Sequence, residues 1–377
     1  MKILHILPSI RSGGVANVVY NLVSDQRYRG ESVDIYISRP QIKFRTMEAE
    51  FTSLGVNVLY SKYTNRYDIR HVKELKALMH DYDIVHVHLF PDQLWANLAY
   101  RCLSKSTRPA LITTEHNTYN NRRKYTILRY FDRFLYSKYD RIVNIGAQTK
   151  TNLDDWLKSE KIKNKSIVIS NGVDIELIKK ATPTDLSFLN LPKGHRIVIM
   201  VARLTHPKDP LTLVRAIHQC GSNIHCVFVG YGPLETKITD LAKNLNINNR
   251  IHLLGMRNDV PSLLKSADLG VLSTNWDGFG LAAVEYMAAG LPVLASDVDG
   301  LRDVVGKPEC LFAPGDDHAL AKNITNILSD TVLYNQLSSF FATRCKSFDI
   351  KETNEHYYAL YKNLIINKSC NGNKKFN

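Results

Sequence analysis

The stretch TNWDGFGLAAVEYMAAGLPVLAS, Thr274 to Ser296, decides how the chain is read. A polar loop comes first, closed by Gly278 and Gly280. The spacing then predicts a helix from Leu281 to Ala289, because Gly290 just past its end and Pro292 just beyond are stop signals. An apolar strand, Pro292 to Ala295, follows. Small, flexible residues before a helix start, with its free N–H groups, suit a phosphate. Asp277 lies just outside that start and Glu285 one turn inside it. A single acid here would cap the helix or complement its dipole. Two acids around a glycine pair can do more: one reaches a sugar, the other holds a ribose diol, and phosphates lie between them on the backbone.

Outward from this stretch, strand and helix signals alternate in both halves, which predicts parallel sheets built from βαβ units. The first half carries strands at Ile3–Leu7, Val33–Ile37, Val56–Leu59, Ile84–His88, Ala110–Thr114, Arg141–Ile145 and Ile167–Ser170. The second carries them at Ile197–Ala202, Cys226–Gly230, Ile251–Leu254, Leu269–Leu272, Pro292–Ala295 and Cys310–Phe312. The fold class is therefore α/β, with two Rossmann-like domains. We place the first over 1–174 and the second over 175–351, with Pro183 and Pro192 marking the entry loop. A last helix is expected over 352–366, and 367–377 reads as a polar, disordered tail.

A chain of 377 residues is comfortable for two domains, and 44% apolar with 23% charged residues is ordinary for a globular protein. No apolar run reaches bilayer-spanning length, and MKILHILPSI is broken too early by Pro8 and Arg11 for a signal peptide. The six cysteines form no CxxC pair, so a reduced, cytoplasmic setting is expected. The formal charge of +13 attracts anions; without a nucleic-acid motif, membrane surfaces and nucleotide phosphates are the expected partners, not nucleic acid.

Open α/β sheets bind ligands beyond the carboxyl ends of their strands, and the candidate residues fall there. Ser12, Gly13 and Gly14 follow the first strand and let backbone approach a diphosphate; they are not a GxGxxG fingerprint, which excludes support for a nicotinamide cofactor. Arg203 and Lys208 share one strand-end loop, where two cations would stabilise a leaving diphosphate. Asp209-Pro210 supplies an N-cap and first helical residue just after it. Gly230 and Gly232, in GYGP, are placed at a base and ribose pocket, and Gly255, Met256 and Arg257 at the loop beside the base. His116 in TEHN lies just past a strand of the first domain, with Glu115 positioned to orient its ring. Asp297-Val298-Asp299 spells a DxD triplet that elsewhere binds a divalent metal; we read it as a loop and assign no metal and no cofactor. Arg122 to Arg141 holds seven Lys/Arg against two Asp, with Ile127, Leu128, Phe131, Phe134 and Leu135 at helical spacing. That is a basic amphipathic helix, which either buries its stripe or lies on an anionic membrane.

The acidic pair resembles the E-x7-E signature of retaining glycosyltransferases with the GT-B fold, the family-four group. SIRSGGVANVVYNL, TEHN, ISNGVD, VARLTHPKDP, VGYGP and LLGMRNDV stand in the family's order along almost the whole chain. One departure is that the family usually has Glu where this chain has Asp277. The resemblance implies two domains facing across a cleft and a last helix crossing back to the first domain. It also implies transfer from a nucleotide-diphosphate sugar, read as a UDP-sugar, to a hydroxyl with retention. The implied roles are Arg203 and Lys208 on the diphosphate, Glu285 on the ribose, Asp277 on the sugar and His116 beside the reacting carbon. Gly13, Gly14, Gly278, Phe279, Gly280 and Leu281 would contribute backbone contacts. Members that build cell-surface polysaccharide imply a glycan or lipid-linked glycan acceptor, and a place at the inner membrane face. Two other readings stay open: a sugar-nucleotide epimerase of the same architecture, which would convert its donor alone, and a non-catalytic sugar-nucleotide binder.

Overall fold

The computed structural model describes residues 1–11, 13–39, 46–189 and 191–373, the last five of these by backbone only. The chain divides into two compact units, Met1–Asn171 with Lys351–Asn377, and Gly172–Ile350. Each is a parallel sheet flanked by helices.

In the first unit the strands are β1 (Lys2–Leu7), β2 (Ser32–Ile37), β3 (Asn57–Tyr60), β4 (Ile84–His88), β5 (Ala110–Glu115), β6 (Arg141–Asn144) and β7 (Ser166–Val168). Their order is β3-β2-β1-β4-β5-β6-β7. The order reverses between β1 and β4, which pair in register from Ile3 opposite Ile84. In doubly wound sheets ligands bind at this reversal, beyond the carboxyl ends of the strands. Buried residues such as Ile3, Leu7 and Val19 form a core on one face. The last helix, Ile350–Asn373, packs Tyr357, Tyr361 and Leu364 into that same core. It runs beyond Ile366, the end expected from sequence alone, so 367–373 are helical rather than part of a disordered tail. The other face packs Leu4, Val85, Trp95 and Tyr136.

The second unit holds β8 (Arg196–Val201), β9 (Ile224–Val229), β10 (Ile251–Leu253), β11 (Leu269–Leu272), β12 (Val293–Ser296) and β13 (Leu311–Phe312), ordered β10-β9-β8-β11-β12-β13. The reversal here lies between β8 and β11. Every strand expected from the sequence is present, with no end shifted by more than two residues. Nearly continuous apolar runs such as IVIMV and CVFV suit strands covered on both faces.

Candidate active site

In the second unit, backbone contacts build the site at the β8/β11 reversal. The loop after β9 lies against the loop after β8: Leu204 N–H donates to Tyr231 C=O at 3.0 Å, and Leu234 N–H to Leu204 C=O at 3.1 Å. A Cβ on Gly230 would stand 2.0 Å from the Ala202 carbonyl oxygen, and one on Gly232 2.2 Å from that of Leu204. These glycines therefore exist for loop-on-loop contact that holds the Arg203 segment.

The loop after β11 is fastened to the same segment. Ser273 Oγ donates to Asp209 C=O at 2.9 Å, Thr274 Oγ1 to Pro207 C=O at 2.6 Å, and Asn275 N–H also to Pro207 C=O at 2.9 Å. The result brings Lys208 Nζ onto a carboxylate oxygen of Asp277 as a part-buried ion pair. The other Asp277 oxygen accepts the Phe279 and Gly280 N–H groups at 3.3 and 3.1 Å. Asp277 thus occupies Lys208 and the Gly280 N–H in the free protein. Phe279 is likewise core: its ring packs edge-on against Phe348 at 5.6 Å, so only its backbone faces the loop.

Gly280 sits at the N-cap of the helix Leu281–Ala289 in the left-handed region, with φ 85° and no side-chain cap. The Asp277 carboxylate faces this positive end through the Phe279 and Gly280 N–H groups, and the N–H groups of the first turn, beginning at Leu281, lie just behind it. Gly278 stands in the turn before it, where a Cβ on Gly300 would press on its carbonyl at 2.8 Å. Glu285 lies on the second turn of this helix, half-buried, and makes no hydrogen bond or ion pair with the described residues. Loss of water around it lifts its carboxyl to about 7. The same helix is fixed by Tyr286, whose buried hydroxyl accepts the Val201 N–H at 2.7 Å at the end of β8. That hydrogen bond is invisible in the sequence, since an apolar run hides which aromatic carries the polar handle.

Arg203 is exposed and has no ion-pair partner among the described residues. Arg257 does: its guanidinium grips Asp259 through two bonds of 2.8 and 2.7 Å, which leaves its backbone for the loop's contacts. Met256 is exposed beside it. Asp209 stands at the N-cap of Pro210–Gln219, but its carboxylate takes the Thr212 hydroxyl at 2.6 Å rather than a backbone N–H. In the DxD triplet, Asp297 takes Arg302 Nε at 2.6 Å and Asp299 lies 3.5 Å from the same guanidinium.

In the first unit, Gly13 and Gly14 open the helix Gly14–Tyr28 without a side-chain cap, and a Cβ on Gly14 would meet nothing within 4 Å. Packing does not demand a glycine there, so the space over the helix start stays open. Ser12 lies outside the described residues. Close to the β1/β4 reversal is a cavity of about 340 Å³ lined by Pro8, Ser9, Arg11, Arg39, Arg66, Leu89, Phe90 and Asn117. Three arginines and no acid line it, and Leu89 holds a left-handed φ of 72°, a strain that collects at functional sites.

His116 adjoins this cavity through Asn117. Its ring is 7% exposed, and burial drives its pKa down to about 3, so it is neutral. Glu115 does not orient it: its Oε1 accepts Gln93 Nε2 and the Tyr136 hydroxyl, each at 2.6 Å. The partner of His116 is His88, with Nε2 and Nδ1 3.0 Å apart.

The basic segment also departs from expectation. Helix covers only Leu128–Tyr136, after a short 3₁₀ turn at Asn121–Lys124. Asp132, Leu135 and Tyr136 face inward, while Ile127 and Tyr130 are 73% and 65% exposed. Arg122 is bound to Asp132 at 2.8 Å, Arg123 to the Thr118 carbonyl at 2.9 Å, and Arg133 to the Leu157 carbonyl at 2.6 Å. Several of its cations are therefore structural.

Comparison with known proteins places these features. Residues 12–177 match the family described as Glycosyltransferase Family 4, and residues 182–340 match Glycosyl transferases group 1. The protein is a glycosyltransferase. This glycosyltransferase is 27% identical, over 79% of its length and 81% of the relative's, to the UDP-Gal:alpha-D-GlcNAc-diphosphoundecaprenol alpha-1,3-galactosyltransferase of Escherichia coli. It is 26% identical, over 68% of each chain, to the N-acetyl-alpha-D-glucosaminyl L-malate synthase of Bacillus anthracis. Its fold matches the crystal structure of Anabaena HepE in complex with UDP and glucose, with a TM-score of 0.82, 20% identity, and 96% and 99% of the two chains covered. The fold is therefore GT-B.

Proposed function

We propose that this glycosyltransferase moves a sugar from a UDP-sugar to a hydroxyl of a diphosphate-linked glycan, with retention, in the synthesis of a cell-surface polysaccharide. The observation that carries the donor half is the β8/β11 reversal. A paired Lys208, a free Arg203 and an uncapped helix start stand there together, with an unpartnered Glu285 one turn away. A diphosphate entering here takes Lys208 from Asp277 and adds Arg203 and the helix start. Asp277, released, accepts a hydroxyl of the sugar, and Glu285 accepts the ribose diol. The anomeric carbon–oxygen bond to the phosphate then breaks, and the leaving oxygen gains charge that the two cations stabilise. The acceptor oxygen attacks on the same face and its proton passes to the departing phosphate. His116 serves as a hydrogen-bond partner of the sugar.

The acceptor half rests on the three-arginine cavity of the first unit, which suits an anionic group. The Escherichia coli relative is named for a diphosphoundecaprenol substrate, and Anabaena HepE was crystallised with UDP. No helix among the described residues is long and apolar enough to cross a membrane, so a lipid-linked acceptor would be met at the surface, on its cytoplasmic face. The exposed Tyr125, Ile127 and Tyr130 supply the apolar contact for that.

The test is to incubate the enzyme with UDP-, GDP- and ADP-sugars, with and without a short diphosphate-linked glycan, and follow nucleotide release and product configuration by NMR. Acceptor-dependent release of UDP with a retained anomeric centre is expected. Conversion of the donor without acceptor would indicate an epimerase, and an inverted product would end the retaining scheme. Arg66→Gln should raise KM for the diphosphate-linked acceptor about tenfold and leave a neutral analogue unaffected.

A further inference from the structure

Five histidines of the first unit are buried with fixed partners, and three of them form a line. His5 on β1 sits with Nδ1 3.1 Å from His88 Nε2 on β4. His88 Nδ1 is 3.0 Å from His116 Nε2, just past β5. At the inner end His5 Nε2 lies 3.0 Å from Oε1 of Gln26, on the helix that opens at Gly14. His5 and His88 are at most 1% exposed and Gln26 2%, whereas His116 keeps 7%. The line therefore runs from the core to His116, just past the carboxyl end of β5, the least buried residue of the three. His86 stands beside it but outside it, its two nitrogens taken by the hydroxyls of Tyr361 at 2.6 Å and Thr114 at 2.7 Å. The nitrogens of His5, His86 and His88 also lie within 4.8 Å of one another. A metal there would have to break this set of hydrogen bonds, so the hydrogen-bonded reading accounts for more of the geometry.

A neutral imidazole has one N–H and one bare nitrogen, so fixing one end of a line of neutral rings fixes all of them. The Gln26 oxygen requires the proton of His5 on Nε2. His5 Nδ1 is then bare and takes the Nε2–H of His88. His88 Nδ1 is bare in turn and takes the Nε2–H of His116. The last nitrogen, Nδ1 of His116, is left with a lone pair.

We propose that Gln26, His5 and His88 are positioning residues that set the tautomer of His116, so that its Nδ1 presents a hydrogen-bond acceptor to a sugar hydroxyl. The consequence for specificity is direct. A bare Nδ1 recognises a hydroxyl that donates, and would not recognise an acceptor-only group such as an ether oxygen or a fluorine at the same place. This rests on the proposed place of His116 at the sugar, and the test separates the two.

The experiment is 15N NMR of the full chain labelled at histidine, with the His116 signals assigned by their loss in His116→Gln. The expected result at pH 7.5 is a single Nε2–H tautomer. Observation of the Nδ1–H tautomer or of an imidazolium in the wild type overturns the proposal without need of any further variant. Gln26→Leu should convert His116 to a tautomer mixture and lower kcat about tenfold, with KM for the donor within twofold. Gln26→Glu, which keeps an acceptor oxygen, should restore the single tautomer. An unchanged His116 spectrum in both Gln26→Leu and His88→Phe also overturns it. If the tautomer responds as expected while His116→Gln turns over at the wild-type rate, the line exists and the role given to His116 is what fails.

Discussion

Lys208, Asp277 and Glu285 show how far single side chains carry the donor site. Lys208 and Asp277 are partners in the free protein, so a diphosphate must displace a carboxylate to reach the cation. Asp277→Ala should therefore leave affinity for free UDP unchanged or a few-fold tighter while lowering turnover. Lys208→Ala should lower kcat/KM about a hundredfold, roughly 2.7 kcal/mol, and Arg203→Ala similarly. Calorimetry with UDP alongside initial rates checks both, and weaker UDP binding by Asp277→Ala would refute the competition. Glu285 makes a further prediction through its carboxyl, lifted to about 7 in the folded chain from the usual carboxylate value near 4.5. Its raised folded value means that it favours the fold below pH 4.5, and that this contribution is lost as pH rises through 7. Glu285→Gln should accordingly stabilise the free enzyme at pH 8, by about 1 kcal/mol after allowance for partial exposure, while weakening nucleotide binding. Ribose hydroxyls favour the ionised form, so UDP affinity in the wild type should rise with pH up to about 7. A stability loss in Glu285→Gln at pH 8 would remove the assignment of an unpartnered acid.

The elements themselves are legible in the sequence because the strands are apolar runs bounded by turn residues, and some helices, such as Leu281–Ala289, stop at a glycine. The loop Asp277–Gly280 and the helix behind it stand where the sequence places them, down to Gly290. Partners across the sheet are not legible. Nothing in the local pattern says that Asp277 takes Lys208, that Arg257 takes Asp259, or that Gly230 and Gly232 serve the Ala202–Leu204 backbone. The histidines of HVH in β4 are a usable signal: polar residues at inward positions of a buried strand need partners. The basic segment misleads for the same reason. Its charge can be counted from the sequence, but Arg122, Arg123 and Arg133 are committed to Asp132 and two carbonyls. What the segment would offer a membrane is its exposed rim of Tyr125, Ile127, Tyr130 and Phe134, with exposed Lys124 beside it. Replacing Tyr125, Ile127 and Tyr130 with Ser should release the protein from anionic vesicles in co-sedimentation at low and at high salt, because these side chains bind through apolar surface that salt does not screen. Replacing Lys124 with Gln should matter only at low salt, where one cation contributes about 1 kcal/mol. Failure of the wild type to bind vesicles at low salt would make the rim an ordinary surface.

At the scale of the whole molecule, both units carry groups that burial moves away from their ordinary titration range, and the first is the richer in histidines so moved. In the first, His5 is lowered to about 4 and His116 to about 3, and His86 and His88 lie well below the ordinary value, in each case mainly through burial. An unfolded chain binds protons at these rings below pH 6.5 and the folded one does not. Their contribution is therefore complete above pH 6.5 and is lost as pH falls toward 4. Each ring that stays neutral in the fold adds to acid lability as pH falls below 6.5. Asp92 in the first unit and Glu285 in the second are each raised to about 7 and move the other way, while His225 in the second is lowered to about 4 like the first-unit rings. Urea unfolding should then show the first unit, with four such rings, melting earlier at pH 5.5 than at 7.5. Trp95 and Trp156, both buried in the first unit, report it by fluorescence, and Trp276, exposed in the second, contributes little to that signal. His86→Gln should flatten the pH dependence by about one ring's share, since an amide can still meet the Tyr361 and Thr114 hydroxyls without titrating. A first-unit midpoint that does not move between pH 7.5 and 5.5 would mean that these rings are protonated in the fold, and the neutral line from Gln26 to His116 would fall with it.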